Sequence, residues 1–406
     1  MPKYKKYFPW FKNNKKWVYA DSSATSLKPY CVIEAINEYY EKYSTNPHNN
    51  DSSLSSYVNL KIKETRKEVA SFIGVSDEKQ IIFTANATES LNIIADNVCS
   101  WLKKDDEVIL SFAEHSSNLL PWIEKAKTKK FKIKYAAEKE TNELTEDAII
   151  ASITKKTKVI SVSNASNLFG YTISISNIVK QARSINPDII IIVDSTQFFP
   201  HHQSQLDKWD VDFFACSMHK MCGPSGVGIL FGKMKYLEKM NPLKLGGGTV
   251  SSIDSDYCVN LAPIPERFEA GTPNTEGIIG SLAAIKFIKK IGIKNIEQHE
   301  LELKRYFDKK IKSIPNIIYM NEKAHFPIIA LNYTNINPQD LANYFGKNKI
   351  VVRGGMSCAK LSYKITDNNV GYVRISLYFY NDFSDIDRII SVLKKFKPKD
   401  IVKNII

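Results

Sequence analysis

The residues Ser217-Met218-His219-Lys220 directly follow an apolar run, Phe213-Phe214-Ala215-Cys216. An amine just beyond a buried strand becomes a good nucleophile only when desolvation or nearby cations lower its pKa. One use of such a lysine is a Schiff base with pyridoxal phosphate, although Lys220 alone reads first as a surface lysine in a loop. One strand–helix–strand unit earlier, Asp194 ends the run Ile189-Ile190-Ile191-Ile192-Val193. A carboxylate there can keep a pyridine nitrogen protonated, which makes the ring an electron sink. Gln197, one short turn on, can donate to a phenolic oxygen. His115 follows another apolar run and can stack on a planar ring, although a lone histidine is more often structural. Thr88 stands just before a helix predicted to begin near Ser90, and the free N–H groups of a helix N-terminus suit a phosphate. Together these residues supply the parts of a pyridoxal phosphate cradle: stacker, carboxylate, phenolic donor, Schiff-base lysine and phosphate-binding hydroxyls.

Such parts need a scaffold that brings distant loops to one edge. Short apolar runs predict strands over 80–84, 107–111, 132–135, 158–162, 189–193, 213–216 and 228–231. Amphipathic stretches such as 90–102 and 175–185 lie between several of them. This alternation predicts an α/β fold with a largely parallel sheet covered on both faces. Ligands on such sheets bind beyond the carboxyl ends of the strands. The polar clusters beginning at Asn86, Glu114, Ser166, Asp194 and Ser217 all occupy that position. From about residue 290 the texture changes: long helices are predicted over 296–311 and 385–396, with short strands over 326–331 and 372–377. The division expected is a large α/β domain over 18–289 and a smaller α+β domain over 290–406, with segment 1–17 packed on the smaller one.

The chain has 406 residues, 43% of them hydrophobic and 24% charged, which is ordinary for a soluble globular protein. Its net charge is +13, but the lysines are scattered rather than gathered into a stripe with stacking aromatics. That pattern favours a solvated surface over a nucleic-acid site. No apolar run approaches the roughly 20 residues of a membrane span. The six cysteines form no CxxC pair and no metal-ligand spacing, so no metal is expected. With no disulfide framework and no secretory leader read in the sequence, a cytoplasmic location is the expectation.

Five segments carry a specific resemblance: Glu114-His115-Ser116-Ser117-Asn118-Leu119-Leu120-Pro121-Trp122, Ser217-Met218-His219-Lys220, Gly223-Pro224-Ser225-Gly226-Val227-Gly228-Ile229-Leu230, Arg267-Phe268-Glu269-Ala270-Gly271-Thr272-Pro273-Asn274-Thr275 and Arg353-Gly354-Gly355-Met356-Ser357-Cys358-Ala359. Over nearly its whole length the chain resembles the cysteine desulfurases of the class V aminotransferase fold, in particular their SufS-type (group II) branch. The resemblance implies fold type I of the pyridoxal-phosphate transferases. It also implies removal of sulfur from L-cysteine, giving L-alanine and a persulfide on Cys358. Lys220 would carry the cofactor and shuttle the α-proton, His115 would stack on the ring and act in proton transfer, and Asp194 would pair with the pyridine nitrogen. Gln197 and Asn167 would contact the phenolic oxygen or the substrate. Thr88, Ser217 and His219 would hold the phosphate, in a turn that also contains Ala87. Thr272 would reach a phosphate across the interface of a homodimer. Arg374 would clamp the substrate carboxylate, a bidentate task that suits a guanidinium. Arg353 would supply positive charge near the Cys358 thiolate, the reactive form of the thiol. The compact loop before Cys358 points to a SufS-type enzyme that hands its sulfur to an acceptor protein, SufU/IscU-like or SufE-like, for iron–sulfur cluster assembly.

The sequence departs from the family at several points. Asn49 and Asn50 follow His48 where the family has arginine and glycine, and Ala87 stands where it has a hydroxyl. Asn164 replaces a histidine, Met218 a small residue, and Met356 and Ser357 two histidines. Other chemistries on this fold, selenocysteine lyase above all, use the same lysine and arginine, and a catalytically lapsed scaffold would keep the fold. Cys358 weighs against the transaminases, which need no acceptor thiol.

Overall fold

The computed structural model describes residues 3–47, 51–136, 145–366 and 368–398. His48, Asn49 and Asn50 therefore lie outside the described residues. Strand β1 (Val18–Tyr19) stands apart from the main sheet. That sheet has seven strands: β2 (Ile81–Thr84), β3 (Glu107–Ser111), β4 (Lys132–Ala136), β5 (Thr157–Ser163), β6 (Ile190–Asp194), β7 (Phe213–Ser217) and β8 (Gly228–Gly232). Its order is β2-β8-β7-β6-β5-β3-β4. The run β7-β6-β5-β3-β4 is parallel throughout, whereas β8 is antiparallel to both its neighbours. The near-continuous apolar character of β3, β5, β6 and β7 follows from this, because both faces of the sheet are covered. One face packs Ile109, Ile160, Val162, Ile191 and Val193 beneath the helix Ile175–Ile185. The other packs Val108, Leu110, Val159 and Ile192 against the helix Ala87–Trp101.

A small hairpin, a parallel two-stranded pair and a second sheet account for the remaining strands. β9 (Val250–Ile253) pairs antiparallel with β10 (Val259–Leu261). β11 (Ile317–Tyr319), β12 (Ile328–Tyr333), β14 (Arg353–Gly355) and β15 (Tyr372–Ser376) form a four-stranded antiparallel sheet in the order β11-β12-β15-β14. β13 (Ile350–Val351) pairs in parallel with β1. Val18 and Ala20 share a core with Leu303, Phe307, Ile329, Leu341, Ile375 and Ile389. The N-terminal segment packs between distant parts of the chain: the Phe8 ring meets Phe287 at 5.9 Å and Tyr380 at 5.0 Å. Lys5 forms ion pairs at 2.7 Å with Asp382 and Asp385.

Several element boundaries move from their expected places for local reasons. The helix expected from Ser90 runs over Ala87–Trp101, because the Asn86 side chain accepts from Glu89 N at 2.9 Å and caps it earlier. Thr88 is therefore inside the first turn rather than before it. The helix expected from Asp385 runs over Phe383–Lys395, capped by Asp382 in a reciprocal box with Asp385. The strand expected over 326–331 is Ile328–Tyr333.

Candidate active site

The carboxyl ends of β3, β5, β6 and β7, together with β14 and β15, open onto one cavity of about 310 Å³. That size falls within the range of small-ligand sites. Lys220, His115, Ala87, Thr88, Asn167, Asp194, Gln197, Ser217, His219, Arg353, Arg374 and Cys358 all line it. Thr272 does not: it is exposed and lines a separate cavity with Phe83, Lys244 and Glu269.

Lys220 lies in a short turn, Met218–Lys220, that leaves the end of β7. Burial lowers its pKa to about 8, Arg374 adds to this, and Asp194, Cys358 and Asp21 oppose it. Asp194 ends β6, and its Oδ1 accepts from Thr196 N at 3.0 Å and from Thr196 Oγ1 at 2.5 Å. Gln197 Nε2 donates to the Ser23 carbonyl at 2.9 Å, which ties the N-terminal segment to the cavity wall. His115 is the N-cap of the helix Ser116–Lys129, and its Nδ1 accepts from Ser117 N at 3.1 Å. An acceptor role for Nδ1 puts the proton of a neutral imidazole on Nε2. Burial lowers the pKa of His115, with Asp194 pulling the other way, so the ring is held neutral. Beneath it the carboxyl of Glu114 is buried, accepts from Ser111, Asn118 and Ser163, and is pushed upward in pKa by desolvation.

One end of the cavity is formed where β2 turns into the helix Ala87–Trp101. Ala87 N donates to Ser217 Oγ at 2.8 Å, which joins this turn to the end of β7. Gly228 makes the approach possible, since a Cβ there would lie 2.4 Å from the Asn86 carbonyl carbon. The Thr88 hydroxyl lies 2.7 Å from Ser117 Oγ. Burial, with Lys220 and Lys28 adding to it, lowers His219 to about 4, so it enters the site as a neutral hydrogen-bonding group.

Arg374 projects from β15 with its side chain 3% exposed. Its Nη2 donates to Asp21 Oδ1 at 2.8 Å and its Nη1 to the Asn167 carbonyl at 3.0 Å, whereas its buried Nε has no partner. Asp21 is a part of the site that the sequence reading did not single out. The chain places it 353 residues from Arg374, and the pairing of the Ala20–Ser22 backbone with Ser376 brings them together. Ser23, Ser117, Ser163 and Thr196 likewise line the cavity without having been named as site residues. Cys358 is half-buried in the loop after β14, while Cys99, Cys216 and Cys222 are fully buried. Arg353 is exposed, yet reaches the same cavity.

The donor set fits pyridoxal phosphate. The cavity offers a half-buried amine of lowered pKa, a carboxylate, an imidazole and hydroxyls beside a helix N-terminus. Its lining residues also carry three buried polar atoms without partners, Arg374 Nε, Asn167 Oδ1 and Ser357 Oγ, which a ligand can satisfy. Fold and site together define a pyridoxal-phosphate enzyme, and the chain belongs to the class V aminotransferase family, whose model matches residues 18–389. Within that family, similar proteins include cysteine desulfurases. The chain is 42% identical over 406 residues to a probable cysteine desulfurase of Ureaplasma parvum, covering all of both chains. It is 36% identical to a probable cysteine desulfurase of Mycoplasma pneumoniae, covering 99% of this chain and 97% of the other. The apo structure of a cysteine desulfurase from Thermococcus onnurineus superposes with a TM-score of 0.90 at 32% identity, covering 99% of this chain and 98% of that one. Among the described residues no helix is long and apolar enough to cross a membrane, and no cluster of three or more His, Cys, Asp or Glu could hold a metal ion.

Proposed function

We propose that this chain is a SufS-type cysteine desulfurase that takes sulfur from L-cysteine onto Cys358 and passes it to an acceptor protein for iron–sulfur cluster assembly. One observation carries the reading: Lys220, Asp194, His115, Arg374 and Cys358 line a single cavity. When bound, pyridoxal phosphate supplies an electron sink that weakens the bonds at the substrate's α- and β-carbons. Lys220 would hold it, with Asp194 at the pyridine nitrogen, His115 on the ring face, and Thr88, Ser217 and His219 around the phosphate. Gln197 and Asn167 would contact the phenolic oxygen or the substrate. Arg374 would bind the substrate carboxylate, and the Lys220 amine would move the α-proton. The Cys358 thiolate would attack the substrate sulfur. The Cβ–S bond breaks, an S–S bond forms on Cys358, and Cβ ends as the methyl group of L-alanine, so one thiol and one amino acid thiol become one persulfide and one alanine.

The position of Thr272 outside the cavity supports assigning it to the site of a second copy in a homodimer. The exposed apolar residues Leu243, Leu245, Ile253, Tyr257 and Val259 support such an interface. The short loop at Cys358 supports the SufS-type assignment and delivery to a SufU/IscU-like or SufE-like protein. The test is alanine formation from L-cysteine by purified, cofactor-loaded protein with a thiol reductant, beside Cys358→Ser. Alanine from the wild type and background from the variant is the expected result. Equal alanine from both would remove Cys358 from the reaction.

A further inference from the structure

The loop that carries Cys358 has an unusual backbone. Ser357 and Cys358 have φ of 48° and 63°, two consecutive non-glycine residues in the left-handed region, directly after Gly355 at 99° and Met356. L-residues avoid this region because Cβ crowds the following carbonyl, so such a pair persists only where the surroundings impose it. The surroundings here are hydrogen bonds from the main-sheet body. Ser116 donates twice to the Cys358 carbonyl, from its backbone N at 2.9 Å and from Oγ at 2.8 Å. Asn167 Nδ2 donates to the Ser357 carbonyl at 2.6 Å. Behind the loop, Ala359 is fully buried and Ala359 N donates to the Met356 carbonyl at 2.9 Å. On its other side Gly371 packs so closely that a Cβ would lie 2.3 Å from Gly355.

We propose that Ser116 is a positioning residue for Cys358. With Asn167 it holds the nucleophile's loop in its left-handed turn and keeps the thiol aimed into the cavity. The location of Ser116 makes this specific. It is the first residue of the helix whose N-cap is His115, so the ring-facing imidazole and the nucleophile's loop are anchored at one helix start. Asn167 completes the arrangement from the other wall, because its own carbonyl accepts from Arg374 while its amide holds Ser357. Arg374 and the loop of Cys358 are thereby joined through one residue, by its backbone carbonyl and its side-chain amide. The inference rests on the desulfurase reading for its catalytic consequence, but not for its geometry.

The test compares Ser116→Ala, Ser116→Thr and wild type as cofactor-loaded proteins. Ser116 is half-buried and keeps its backbone bond in both variants, so both are expected to fold. Removing one hydroxyl hydrogen bond is expected to lower kcat for alanine formation by about threefold to tenfold. The KM for L-cysteine and the visible spectrum of the cofactor stay unchanged, and Ser116→Thr restores kcat. Alkylation of Cys358 by iodoacetamide, read by mass spectrometry of the peptide that carries it, is expected to move the opposite way. It becomes about threefold faster in Ser116→Ala, because a released loop exposes a half-buried thiol. Unchanged kcat and alkylation would overturn the proposal, as would a joint fall in kcat, cofactor content and substrate affinity. If the wild type forms no alanine but the alkylation effect is present, the loop assignment stands and the desulfurase reading fails.

Discussion

The lowered pKa of Lys220 can be read directly in the cofactor-free protein. Burial is the main cause and Arg374 the second, and they bring the amine from 10.5 to about 8. At pH 7 a pKa of 8 leaves ~10% of the amine neutral, against ~0.03% for an unperturbed lysine, about 300-fold more of the nucleophilic form. Capture of pyridoxal phosphate requires that neutral form. The rate at which the cofactor's visible absorbance shifts on mixing should therefore rise about tenfold per pH unit below 8 and level off above it. Arg374→Gln removes a cation that disfavours the protonated amine, so the midpoint should move to higher pH in that variant. The refuting result is a wild-type rate that climbs without levelling through pH 10. That would mean a solvated lysine, and the enclosure deduced for the end of β7 would be wrong.

Asp21→Ala removes the carboxylate that faces the buried Arg374 guanidinium. Stability should fall by about 3 kcal/mol in denaturant titration, the low end for an uncompensated buried charge. Binding of L-alanine, followed by the cofactor spectrum, should weaken more than that of ethylamine, which lacks the carboxylate. Gly228→Ala would push the Asn86 backbone away from β8, and the affinity for pyridoxal phosphate, measured by fluorescence titration, should drop by about tenfold or more as the phosphate turn shifts. Glu269 accepts from both Arg66 Nη1 and Nη2, at 2.7 and 2.8 Å, and from Phe83 N at 2.7 Å. Glu269→Gln should therefore cost about 2 kcal/mol in chemical denaturation, because a mostly buried guanidinium loses its bidentate partner.

Much of the site is written along the chain because a parallel sheet imposes a simple rule. Each apolar run of β3, β5, β6 and β7 is buried on both faces, so its polar continuation has one place to go, the carboxyl edge. His115, Asp194, Gln197, Ser217 and Lys220 are legible for that reason, and the family resemblance adds Cys358 and Arg374. Helix starts were less legible. Asn86 moved one of them three residues forward, because a side-chain cap is a local hydrogen bond that hydrophobic periodicity does not register. The tertiary structure alone decided what meets across long separations. Asp21 reaches Arg374 through the pairing of the Ala20–Ser22 backbone with Ser376, and Ser116 meets Cys358 across 242 residues. Such contacts depend on how elements far apart in the chain pack together, and neither residue carries a periodicity or a spacing that announces its partner. The same holds for charge. The sequence names an amine beyond a strand, but the fall in its pKa comes from the walls that the folded chain closes around it.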